Sequence, residues 1–224
     1  MPQDQPTPAD ADEALADTLE QSERFEGDLA PLLAHPRRPP SRRALLTLAS
    51  CDVAVEFWVA QRLLIRAGMH TSALALVRLH FEATVRAIWF HHGASDEWLE
   101  RFAAPMAPGQ LADPVLGSNV DAMLQTLAKT APPFLAQTLG AFKAATWQPM
   151  NSYVHGGIRP VVQSLAGCTP QQLVGVLQNA NGMALMTANL LVVALQDPAL
   201  AGRIGPIQHE HWACLPPMQA TDLS

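Results

Sequence analysis

Between Ser72 and His92 the chain reads SALALVRLHFEATVRAIWFHH, with apolar positions at helical spacing and no Pro or Gly before Gly93. At about 100° per residue, Arg78, Glu82, Arg86 and Trp89 fall on one narrow stripe. Leu74, Phe81 and Val85 flank that stripe on one side, Leu79 and Phe90 on the other, and His80, Thr84 and His91 form a softer polar face opposite. The pattern predicts a helix carrying three charges along the middle of its apolar arc, where an ion persists only if paired or hydrogen-bonded. A site is therefore expected here.

The same reading predicts helices along most of the chain. Residues 9–34 form a first helix, acidic at its start as the macrodipole favours, after a disordered lead over 1–8. HPRRPP, residues 35–40, is a stiff break. Ser41 caps a second helix that runs to about Ala67 and is apolar nearly all round. On it Asp52 and Glu56 stand one turn apart, placed to neutralise Arg78 and Arg86 if the second and third helices pack as a hairpin across Gly68-Met69-His70. Ser95 starts a short fourth helix, a loop occupies 105–117, and 119–129 and 133–147 are helical again. Thr169 caps a long helix from Pro170 to about Gln196, rich in small residues. The expected architecture is all-α: one helical bundle over 9–198, then a loop-like, surface-lying tail over 199–224.

Composition narrows the classes. The chain has 224 residues, 49% of them hydrophobic and only 15% charged, which suits extensive burial and a dimer or larger homo-oligomer. A net charge of −6 gives no overall basic footprint for nucleic acid. The one basic cluster is Arg37, Arg38, Arg42 and Arg43, read either as a solvated linker or as a contact for phosphate or an acidic partner. Three widely spaced cysteines without a C-x-x-C point to a reducing cytoplasm, and no membrane role is expected.

A second polar constellation lies in QPMNSYVHGGIRP. Asn151 and His155 are one helical turn apart, Gly156 and Gly157 follow, and Trp147, Ser152, Tyr153 and Arg159 lie within the same short stretch. If the segment is helical, both side chains share a face and the glycines end the helix or admit a ligand to the backbone. A last-turn histidine is biased toward its charged form by the dipole. The plainer alternative makes Asn151 a cap and His155 a core histidine.

No phosphate-loop, dinucleotide, nucleophile-elbow or zinc-protease motif occurs. No cofactor is indicated. His209-Glu210-His211 and His91-His92 could ligate a metal, but a surface tail and a helix end explain them more simply, so no metal site is assigned. Asp52 and Glu56 could serve acid–base chemistry, and partners for the arginines are again the simpler reading.

SALALVRLHFEATVRAIW, ASDEWLERF and W-x3-NSYVHGG together resemble an uncharacterised bacterial family of helical proteins, loosely HEPN-like, over about residues 40–195. The resemblance implies an all-helical fold, a pocket shared by the Arg-x3-Glu-x3-Arg and Asn-x3-His-Gly-Gly elements, and a link to phage-defence or toxin–antitoxin systems. HEPN ribonucleases carry Arg-x4–6-His, usually acting across a dimer. Here Asn151, not arginine, stands nearest that place before His155.

Three functions follow as expectations. In the first, Arg78, Glu82, Arg86, Tyr153, Gly156, Gly157 and Arg159 bind a small anionic ligand or nucleotide, supported by Asp52, Glu56 and Trp89. In the second, His155, oriented by Asn151, serves a ribonuclease or nucleotide-modifying toxin. The third makes the charged stripe a structural ion network in a helical oligomer.

Overall fold

The hydrophobic positions fold into helices that share two main cores. The computed structural model describes residues 7–34, 38–104 and 119–217. Among these are nine α-helices, one 3-10 turn and no strand: α1 Pro8–Leu33, α2 Arg42–Arg66, α3 His70–His92, α4 Asp96–Phe102, α5 Val120–Thr130, α6 Pro133–Val154, α7 Ile158–Ala166, α8 Pro170–Leu195, α9 Pro198–Glu210 and the turn Trp212–Cys214. The all-α architecture is as the periodicity dictates. Residues 1–6 of the expected lead, 35–37 of the break and the expected loop at 105–117 lie outside the described residues.

Helix starts follow their caps. Thr7 and Asp10 exchange a capping box, so α1 begins at Pro8, inside the stretch expected as a lead. Ser41, Ser95 and Thr169 accept hydrogen bonds from the backbone N–H groups of Ala44, Trp98 and Gln172. α2 and α3 form the expected hairpin, and α8 packs against both and against α1. One core joins α1, α2, α8 and α9 around Phe25, Leu29, Trp58 and Leu191; the other joins α3, α5, α6 and α8 around Phe81, Ile88, Met123 and Leu139. Asn181 of α8 locks the first core. Its amide nitrogen donates to Ser22 Oγ (2.8 Å) and to the Cys214 carbonyl (2.9 Å), and its oxygen accepts from Trp58 Nε1 (2.9 Å). All its near groups are satisfied, so a buried amide is tolerated there.

The C-terminal region departs from expectation. Residues 198–210 form α9, with Asp197 accepting from the Ala199 N–H at its start. Leu200, Ile204, Cys214 and Leu215 are buried in the first core. Proline at the first helical position suits helix initiation, and the apolar residues four apart supply the packing face that outweighs the turn-like composition. α2 and α8 are long and apolar enough to cross a membrane by length and composition; 39% and 56% of their most apolar windows are buried within the protein, and both lie against neighbouring helices.

Candidate functional site

Arg78 unites the two polar constellations. Its Nε donates to Glu82 Oε1 (2.7 Å), one turn along α3. Its Nη1 reaches α6, at 2.6 Å from Asn151 Oδ1 and 2.8 Å from His155 Nε2. The guanidinium also lies over the Trp147 ring, 4.6 Å from its centroid. One planar fork thus holds a carboxylate, an amide, an imidazole and an indole face.

α6 makes this geometry possible by running without interruption to Val154, through Pro149, with His155 as its C-cap. Asn151 therefore sits inside the last turns of α6 and is not a cap. Four-residue spacing puts Trp147, Asn151 and His155 on one face. Arginine has only donors, so His155 Nε2 must accept with its lone pair. His155 is exposed, Arg78 half-buried.

Both glycines after His155 are required by geometry. Gly156 has φ of +67°, the left-handed region. A Cβ on Gly157 would lie 2.3 Å from Ser152 Oγ and 2.9 Å from Ser152 Cα. That close approach starts α7, whose cap residue has no side chain to offer; Ser152 Oγ accepts from the Arg159 N–H instead (3.1 Å). Arg159 itself is exposed beside the α7 N-terminus. Tyr153 turns away from the cluster and donates to Gln163 Oε1, tying α6 to α7.

Several expected roles change. The buried arc of α3 is centred on Val77, Thr84 and Ile88, and it includes His80; the charged stripe is the half-open side. His80 is fully buried, with Nδ1 2.9 Å from Gln61 Nε2 of α2, and burial pushes its pKa down to about 3. Thr84 Oγ1 donates to the His80 carbonyl, so its hydroxyl is compatible with the interior. Asp52 and Glu56 are exposed, and Arg78 takes its carboxylate from Glu82 of its own helix. Trp89 is buried in the second core against Trp98 and Phe90; the indole at the cluster is Trp147.

Arg86 lies one turn beyond Glu82. Its Cζ is 5.8 Å from the Phe102 ring centroid, and its Nη1 is buried with no hydrogen-bond partner among the described residues. Desolvation lowers its pKa, partly opposed by the charge of Glu82. Two residues of the basic segment, Arg42 and Arg43, are used internally. Arg43 Nη1 donates to the Phe90 and Ala94 carbonyls (2.7 and 2.8 Å) and Nη2 to Asp96 (2.9 Å), while Arg42 pairs with Glu100. Arg43, a cation unfavourable to the start of α2, thereby caps the C-terminal end of α3. Arg37 is outside the described residues.

Sequence reading missed the contacts between distant charged residues, two of which tie α1 to the rest of the fold. Arg62 of α2, 5% exposed, donates through Nε and Nη2 to Glu26 of α1 (2.9 and 2.7 Å), and His211 contacts Asp28 (2.7 Å). Spans of 36 and 183 residues separate the partners, and no local pattern signals such meetings. Two cavities, about 290 and 400 Å³, lie elsewhere, between α1 and α2 and between α6 and α8.

No curated protein and no solved structure matches this chain. Residues 51–217, from the middle of α2 to the end of the described chain, match the sequence model of a family described as Family of unknown function (DUF6988), and the protein belongs to that family.

Proposed function

We propose that the protein is a helical binding module for a small anionic ligand, a phosphate-bearing nucleotide among the candidates, at the junction of α3, α6 and α7. The observation that carries this reading is the single Arg78 fork that draws Glu82, Asn151, His155 and Trp147 together. Next to His155 in the chain stand further donors: the exposed Arg159 in the first turn of α7 and the N-terminal end of that helix, whose dipole favours a negative group. Arg86 adds a second, half-buried positive charge along α3. Glu82 offsets part of this charge and selects for ligands that the donors can engage directly. The test is thermal unfolding of the full chain with inorganic phosphate, AMP and ADP, against matched chloride. A concentration-dependent rise in Tm, lost in Arg159→Ala and His155→Ala, supports the site; no rise with any of the three removes it.

A second reading, a ribonuclease or nucleotide-modifying toxin of the kind associated with phage defence, is favoured by one distance. Arg78 stands 2.8 Å from His155, so α3 supplies in space the arginine that the α6 sequence lacks. Release of the Arg78 contact by a bound phosphodiester would free the His155 Nε2 lone pair for general-base work, with the guanidinium beside it to stabilise the developing charge. Cleavage of total RNA by wild type and not by His155→Ala, at equal helicity, would establish it. We place the protein in the cytoplasm, on its three free cysteines. A second copy is the protein partner we expect. α7 exposes Ile158, Val161, Val162 and Leu165 at helical spacing beside the site, and light scattering reads the outcome.

A further inference from the structure

Away from the Arg78 cluster, the end of α9 meets the flank of α1. Asp28, Glu210 and His211 each offer a ligand atom, and the three atoms lie within 4.8 Å of one another. His211 is buried, its Nε2 2.7 Å from Asp28 Oδ2; Asp28 and Glu210 are exposed. Only the fold creates this set, since 183 residues separate Asp28 from His211.

The charges in this corner do not balance. Glu210 is the last residue of α9, where the helix dipole is negative and a carboxylate is disfavoured. Among the described residues Glu210 forms no ion pair; its carboxylate stands within 4.8 Å of the ligand atoms of Asp28 and His211. Two carboxylates and a helix C-terminus outweigh one imidazole even when it is protonated. A second carboxylate beside an existing His–Asp pair is an arrangement that a cation would stabilise.

We propose that Asp28, Glu210 and His211 bind a divalent transition cation, zinc in the first instance, which clamps the C-terminal helix to α1. One imidazole and two carboxylates are ligands of zinc's borderline character. Ligand atoms around zinc stand roughly 3.3 Å apart in tetrahedral geometry, so the Asp28–His211 contact opens slightly as the metal enters. Water completes the shell on the exposed side. Zinc takes the Nε2 lone pair, so the proton between Nε2 and Asp28 leaves to solvent or to Nδ1, and affinity weakens as the pH is lowered. The clamp joins elements that already pack together, α1 with α9 and with the 3-10 turn.

The test uses the full chain freed of metal by chelation, then titrated with zinc chloride in a calorimeter and in thermal unfolding. One equivalent binds, and at a hundredfold excess over Kd the Tm rises by roughly 5–10 °C. Glu210→Gln leaves the metal-free Tm unchanged, because that carboxylate holds no buried contact, and weakens zinc binding at least tenfold. Asp28→Asn does the same to zinc while also lowering the metal-free Tm. His209→Ala leaves binding as it is. No saturable binding, or binding equal in wild type, Glu210→Gln and Asp28→Asn, overturns the proposal; the second outcome moves the zinc elsewhere, for instance to the adjacent rings of His91 and His92.

Discussion

The two sides of α3 handle polarity in opposite ways. The inner side buries His80 completely and keeps it neutral, bound to Gln61 of α2. The outer side keeps Arg78 charged, half-open and surrounded by acceptors from two helices. A neutral imidazole can be desolvated at modest cost when one nitrogen is hydrogen-bonded, whereas a guanidinium cannot. That difference decides which side faces the core, although helical-wheel polarity ranks the sides the other way round. The outer side, retaining charge and access, is where chemistry can occur.

The largest expected effect breaks the inner side by pH. In the unfolded chain His80 takes up a proton near pH 6.5, whereas the folded protein holds it neutral down to about 3. The unfolded state therefore binds more protons throughout that window. Stability falls as pH drops from 6.5 toward 3, by about 1.4 kcal/mol per unit once the unfolded imidazole is mostly charged. Urea unfolding of wild type and His80→Gln between pH 4 and 7 measures this, and the variant shows a flatter slope.

On the outer side, Arg78→Met strips Glu82, Asn151 and His155 of a shared donor. We expect a loss of about 2–3 kcal/mol, below the value for a fully buried pair because water reaches this cluster. The midpoint in urea reads it, with m unchanged. Gly157→Ala tests whether the tight turn holds the cluster: the clash with the Ser152 backbone should destabilise by roughly 1–3 kcal/mol and displace α7. An unaltered stability in that variant would mean that the turn yields freely. The smallest effect sharpens the contrast. Glu56→Gln, at an exposed position of α2, should change stability by less than about 0.5 kcal/mol. A loss comparable to that of Arg78→Met would show that Glu56 after all supports the stripe.

Much of this was legible beforehand. Caps at Ser41, Ser95 and Thr169, the Gly93 stop and the apolar periodicity are local signals, and the helices they mark stand within a few residues of expectation. Arg78, Glu82, Asn151 and His155 stood out as polar residues at helical spacing in apolar surroundings, and the fold brings those four together. Arg86 lies further along the same helix and Arg159 across the turn, while Tyr153 and Trp89 face other neighbours. The final helix was hidden by its proline and glycine content, because burial against a distant core, not propensity, stabilises it.

The sequence by itself determined the all-helical class, most helix ends and the stretches holding the polar clusters, since caps, breakers and periodicity act within a few residues. Only the tertiary structure decided which side of α3 is buried, that Glu82 and not Asp52 or Glu56 pairs Arg78, that Arg43 caps α3, and that Asp28 meets His211. Those outcomes depend on desolvation and on which helices become neighbours, quantities that a single helix does not possess.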